Sequence, residues 1–303
     1  MEKNMYIVTG ATGRTGRIVT NILLNQGKDV RAIARDTDKL RDLEANGAKI
    51  LSGNLEDKNF VVRAFRGAKA AYLMVPPNNE AEDFLDYQMK VADNQAEAIK
   101  KNKITHAVLL SSVGAELTEK AGVVQGLHYM EKRLNRIKSL NIKHIRATYF
   151  MENLFQTIQM VKSTNKLSLP FNHNLKFPMT AKRDVAKVAV QHLLDLDFEG
   201  KSVDYVLGQR DLSFTEVADI LGKAIGITNL EYTQTSYENT RTAWVRSGIS
   251  ESVADAYIEF IRGINEGRIF GNVERTPENT TPISIEEFSR QYALLYENSR
   301  AMA

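Results

Sequence analysis

Gly10, Gly13 and Gly16 stand at Gly-x-x-Gly-x-x-Gly spacing, directly after the apolar run Met5-Tyr6-Ile7-Val8 and at the head of an amphipathic stretch. Glycines so placed let a chain turn sharply, let backbone N–H groups approach a pyrophosphate, and let a helix pack closely on its strand. A dinucleotide is the expected ligand, touched by Gly10, Thr12, Gly13, Arg14, Thr15 and Gly16. The choice of dinucleotide falls to a position about twenty residues beyond the loop, where an acidic side chain would meet the ribose 2′-hydroxyl of NAD. Arg35 occupies that place. A guanidinium suits a 2′-phosphate, so NADPH is expected over NADH, with Arg14, Arg35 and Lys39 converging on the phosphate. Asp36 is the neighbour that argues the other way.

Further candidates lie where later strands are expected to end. Asn54 and Leu55 follow the third strand and would meet the adenine, although Asn and Gly also make ordinary turns. Val75 and Pro76 follow the fourth strand, and Ser111 and Ser112 the fifth, where the nicotinamide half should lie. Tyr149 and Phe150 end the sixth strand and could offer an aromatic face to that ring, with Asn153 meeting a substrate; core packing and a helix cap are the other uses of such residues. Trp244, Phe171 and Phe177 are candidate walls of a second pocket, with core burial the favoured role for each. No metal site is expected, because the five histidines are scattered without a His-x-x-x-His pair and there is no cysteine. Gly-x-Ser-x-Gly is absent as well, which removes the hydrolase signature.

The elements needed to position these residues are written in alternation. Ile18, Val19, Ile22 and Leu23 recur at helical spacing, and Gly27 falls where a helix ends in a left-handed residue. Strands are predicted at residues 30–35, 49–52, 70–75, 106–110 and 143–148, and helices at 39–45, 57–65, 81–101 and 127–139. Strands alternating with helices imply a parallel sheet covered on both faces, an α/β doubly wound, Rossmann-like fold. Beyond about Phe150 the pattern loosens into loops and helices near 184–194 and 214–225. The expected organisation is a dinucleotide-binding domain over 1–152 and a smaller, mostly helical lobe over 153–303, with some segments returning to the first domain.

At 303 residues, 43% hydrophobic and 25% charged, the composition is that of an ordinary globular protein with ample core. A net charge of +3, with basic and acidic residues interleaved, offers no surface for nucleic acid. The first residues lead straight into a strand without a basic stretch and apolar run, and no apolar stretch approaches the ~18 residues of a membrane span. Cytoplasm is the expected compartment.

Three segments together, Thr9 to Gly16, Leu110-Ser111-Ser112-Val113-Gly114-Ala115 and Phe150-Met151-Glu152-Asn153, resemble the NmrA-like branch of the atypical short-chain dehydrogenases. Arg183-Asp184-Val185-Ala186 and the segment from Thr281 to Phe288 are similar to later parts of that group. The resemblance implies a dinucleotide-binding domain with a small C-terminal substrate lobe. It implies either an NADPH-dependent reductase of quinones, azo dyes or triphenylmethane dyes, or a redox-sensing regulator with little activity. The first takes a small-molecule acceptor, the second a protein partner; a homodimer is open to both. Ordinary short-chain dehydrogenases exchange a proton through Tyr-x-x-x-Lys. None of the eleven tyrosines here has that partner, and Tyr129 with Arg133 is the nearest imitation. His128 stands near where related reductases carry a lysine, which makes it the candidate to donate a proton or orient the acceptor; packing against the neighbouring loop or capping a polar contact is the other use of such a histidine.

Overall fold

Each predicted strand and helix of the first half has a physical counterpart in the computed structural model, which describes residues 4–271 and 273–298. The chain alternates β1 (Met5–Thr9), α1 (Arg14–Asn25), β2 (Val30–Ala34), α2 (Arg41–Ala45), β3 (Lys49–Ser52), α3 (Lys58–Ala64), β4 (Ala68–Leu73), α4 (Phe84–Lys101), β5 (His106–Ser112), α5 (Gln125–Asn135) and β6 (Asn141–Ala147). Punctuation is local. Helix α1 stops because Gly27 adopts φ +68°, allowing Gly27 N–H to reach Leu24 O and Lys28 N–H to reach Leu23 O. Helix α4 starts at Phe84 rather than Ala81, where the Asp83 carboxylate accepts from Asp86 N–H at 2.9 Å.

Past β6 come β7 (Tyr149–Phe150), a 3₁₀ stretch over Met151–Thr157, α6 (Ile158–Thr164), β8 (Lys166–Leu169), β9 (Phe177–Thr180), α7 (Lys182–Asp195) and β10 (Lys201–Val206). The remainder is β11 (Asp211–Leu212), α8 (Phe214–Ile225), β12 (Glu231–Gln234), α9 (Tyr237–Arg246), α10 (Glu251–Asn265) and α11 (Ile285–Asn298). Helix α8 opens on a reciprocal cap, the Ser213 hydroxyl accepting from Glu216 N–H and the Glu216 carboxylate from Ser213 N–H.

Seven parallel strands make the central sheet in the order β10-β6-β5-β4-β1-β2-β3. The order reverses at β1, so β2 and β4 diverge on either side of it and leave a crevice at their carboxyl ends. One face carries α3, α4 and α5 over a core that includes Phe65, Val91, Leu109 and Leu134. The other carries α1 and α7 over Val8, Val19, Val108 and Val185. Helix α7 and strand β10 belong to this central layer although they follow residue 152. A third core, with Phe171, Phe177, Phe214 and Tyr292, lies in the mainly helical C-terminal region beside a three-stranded sheet (β11-β9-β7) and a β8-β12 pair. Among the described residues no helix is long and apolar enough to cross a membrane.

Candidate functional site

The glycine loop closes on itself between β1 and α1. Gly13 N–H donates to Gly10 O at 2.8 Å and Ala11 N–H to Ile33 O at 3.1 Å, tying the turn to β2. Gly10 takes φ +65°, and a Cβ on Gly16 would land on the carbonyl of Gly10. Alanine cannot be accommodated there without moving backbone. The loop thereby presents the first turn of α1, whose leading N–H groups have no acceptor within the helix and whose dipole favours an anion. Thr12 is half-buried in the loop and Thr15 is buried beneath it.

Arg35 follows β2, exposed, with Nη2 3.5 Å from Pro77 O, so its side chain reaches across the crevice mouth toward the segment after β4. Asp36 is turned into its own backbone, accepting from Asp38 N–H at 3.0 Å and pairing with Lys39 at 3.3 Å. That leaves the Arg35 guanidinium without a carboxylate partner among the described residues and ties Lys39 to Asp36. Arg14 does not join them. Its guanidinium donates to Glu152 O at 2.9 Å and lies over the Phe155 ring, on the α7 side, whereas Arg35 stands on the α4 side near Tyr87. Arg14 therefore stands apart from Arg35 and Lys39 in this structure, because the first residue of α1 projects toward the end of β7 rather than toward β2.

Local geometry fixes where several other candidate side chains point. Asn54 forms a turn with Glu56, accepting from its N–H and donating to its carboxylate, while Leu55 is buried in the core. The Ser111 hydroxyl is taken up by the buried Glu131 of α5, to which it donates at 2.5 Å, whereas the Ser112 hydroxyl donates to Val113 O. Side chains alternate along a strand, so two adjacent serines cannot face the same ligand. The same alternation separates Tyr149 from Phe150, whose register pairs them with Met179 and Thr180. Tyr149 turns into the aromatic core against Phe171, Phe177 and Phe214 at 5.6 to 6.0 Å. Phe171 and Phe177 are core residues too, at 4% and 1% exposure, the role favoured for them from sequence.

Phe150 faces the other way and carries the ammonium of Lys182 over its ring at 5.2 Å. Glu152 accepts from Lys182 N–H at 2.9 and 3.1 Å, capping the start of α7. Burial raises the Glu152 carboxyl above its ordinary range, and burial together with Arg14 lowers Lys182 to about 8. Glu152 and Lys182 were not among the residues expected at the site. Their only sequence signal is position: Glu152 lies within one segment of the family resemblance and Lys182 just before another, and the β7–β9 pairing that joins them is non-local.

After β5, His128 Nδ1 donates to Ala115 O at 2.8 Å, which leaves Nε2 as the ring's free nitrogen, and the residue lines a cleft of about 290 Å³. Glu116, Glu131, Lys132, Asn135 and Arg146 also line this cleft. It is a charged surface: Arg146 pairs with Glu131 at 2.7 Å and with Glu116 at 3.0 Å. Tyr129 is directed at α4 instead, donating to Asp93, which also holds Arg133 at 2.6 Å. Burial and Asp93 raise the Tyr129 phenol, the reverse of what proton exchange near neutrality requires.

Val75 and Pro76 lie after β4, with Pro76 O accepting from Tyr87 at 2.9 Å, and Asn153 is half-buried in the 3₁₀ stretch. Trp244 sits on α9 against Tyr257 at 5.8 Å, apart from the glycine loop's contacts. Among the described residues no three acidic or histidine side chains are grouped to hold a metal.

The chain is 24% identical over 294 residues to an NAD(P)H azoreductase of Xenophilus azovorans, covering 96% of this chain and 99% of that one. Its fold matches an NADPH-dependent quinone oxidoreductase of Escherichia coli solved with NADPH (TM-score 0.79, 19% identity, 95% of this chain and 99% of that one). It also matches a Citrobacter triphenylmethane reductase solved with NADP(H) (TM-score 0.76, 17% identity, 95% and 99%). The family model described as NmrA-like matches residues 2–292, and with the glycine loop, the reversed strand order and the appended helical region in place, the chain belongs to the NmrA-like family.

Proposed function

We propose that the protein is an NADPH-dependent reductase that passes hydride to a flat, electron-poor acceptor such as a quinone or a dye. The observation that carries this reading is Arg35, projecting over the crevice mouth at the end of β2 while Asp36 is bound into its own turn. The cradle fits the group: the first turn of α1 supplies N–H donors for the pyrophosphate, and Arg35 supplies a fork for the 2′-phosphate. NADPH bound there supplies the hydride. Val75, Pro76 and Ser112 border the nicotinamide half.

A good hydride acceptor needs little general-acid help, so orientation and exclusion of water carry the reaction in place of a Tyr-x-x-x-Lys pair. In this reading His128, anchored through Nδ1 to Ala115, exchanges a proton with the reduced acceptor through Nε2. The azo-dye, quinone and triphenylmethane reductase relatives support the acceptor class. Steady-state oxidation of NADPH against a panel of quinones and azo dyes is the test, and turnover above the protein-free rate is expected with at least one. Should NADPH bind with no acceptor turned over, the reading passes to an NADP(H)-sensing role, recognised by partner binding or association that changes with the cofactor.

A further inference from the structure

We propose that Lys182, together with Arg14, grips the pyrophosphate bridge of the dinucleotide from the α7 side of the crevice, an assignment that rests on the reading of that crevice as an NADPH site. Helices α1 and α7 lie side by side in one core, Val19 and Leu23 of the first with Val185 and Ala189 of the second. Both leave the carboxyl-end side of the sheet, since α1 follows β1 and α7 leads into the parallel strand β10. Each begins with a cation, Arg14 and Lys182.

Among the described residues neither cation is matched by a carboxylate of its own. Arg14 donates to a neutral carbonyl and rests on Phe155. The ammonium of Lys182 rests on Phe150, and the carboxylate between them, Glu152, is engaged by the backbone N–H of Lys182. The charged groups facing Lys182 are therefore Arg14 from α1 and Glu152 from the 3₁₀ stretch. Asp184, on its own helix, turns to Ile283 N–H. Two cations and two helix N-termini against one carboxylate leave an excess of positive potential beside the glycine loop. A half-buried ammonium that shares one carboxylate with Arg14 and a backbone N–H is costly, and the lowered affinity of Lys182 for its proton, to about 8, records that cost. A dianion held between Arg14 and Lys182 removes it.

The linkage has a definite sign. An anion beside Lys182 raises its pKa above the value near 8 that it has in the free protein, so binding gains are complete below pH 8 and fade as pH rises past it. Because the pyrophosphate is common to both dinucleotides, Lys182 should not discriminate between them, in contrast to Arg35.

The experiment measures NADPH and NADH affinity of the full-length protein and of Lys182→Met and Lys182→Arg, with proton uptake read by titration calorimetry at pH 8 in two buffers of different ionisation enthalpy. Lys182→Met is expected to weaken both dinucleotides by a similar factor, roughly ten- to a hundredfold, with Lys182→Arg recovering most of it. The wild type is expected to take up a fraction of a proton with NADPH, the Met variant none. If the wild type binds NADPH but takes up no proton, or if the Met variant binds both dinucleotides normally or loses NADPH alone, this assignment is wrong while the NADPH reading stands. A wild type that binds neither dinucleotide overturns both.

Discussion

In the proposed complex Arg35 is the residue on which the choice of cofactor turns, an expectation drawn from spacing alone. What spacing did not convey is where a long side chain goes. Arg14 lies inside the same motif yet stretches to Glu152 O, because its partner is brought up by β7, more than a hundred residues away. Ser111 and Ser112 are adjacent in sequence but separated by the pleat, one beneath α5 and one toward Val113. The backbone part of the site was thus legible, since glycines announce backbone geometry, whereas side-chain partners set by tertiary contact were not. Replacing Arg35 by alanine should weaken NADPH by ~1.5 to 3 kcal/mol through loss of a charged hydrogen bond and leave NADH nearly unaffected. Fluorescence titration of both dinucleotides checks this, and an equal loss for the two would remove the 2′-phosphate from Arg35.

At the scale of elements, helices with a clear apolar stripe and strands of continuous apolar residues were readable, and α8 agrees with its predicted span from Phe214 to Ile225. Strand β10 was not among the expected strands. Its residues, Lys201 to Val206, are half polar because it forms the edge of the sheet, with only β6 as neighbour, and Val203 stays 38% exposed. Its partner β6 holds a feature that belongs to the joint between strand and helix: His144, 1% exposed, hydrogen-bonded through Nε2 to Asn135 of α5 at 2.8 Å. Burial lowers its pKa to about 4, so the fold excludes a proton that the unfolded chain accepts below about pH 6.5. Stability from this site is complete above pH 6.5 and is lost as pH falls toward 4, about 2 kcal/mol of it by pH 5. Urea unfolding of the wild type and of His144→Gln between pH 7.5 and 5 should show the wild type declining more steeply. Parallel curves would mean that the histidine does not control the acid sensitivity of this joint.

For the whole molecule, the question is how the C-terminal region meets the sheet at the mouth of the crevice. Helix α10 is the connection. Ser250 N–H donates to Asn79 O and the Ser250 hydroxyl to Ala81 O, Ser252 accepts from Phe84 N–H, and Glu259 accepts from Gly122 N–H. These partners lie in the segments after β4 and β5, which border the nicotinamide half in the proposed complex, so α10 is placed to wall the acceptor side. The contact is close at Gly122, which has φ +53° and where a Cβ would fall on the carbonyl of Ala256 and within 2.6 Å of Phe260 N. Alanine at 122 can be accommodated only if α10 retreats, at a cost of at least about 2 kcal/mol from backbone strain and lost packing. Arg35, Lys182 and the glycine loop are carried by the sheet and its flanking helices, so NADPH affinity should hold within about twofold while KM for the acceptor rises tenfold or more through misplacement. Hydrogen exchange across α10 reports the retreat independently of kinetics. Faster exchange with an unchanged KM would show that α10 can move without touching the acceptor, and would shift the acceptor's wall to the β5 loop and His128.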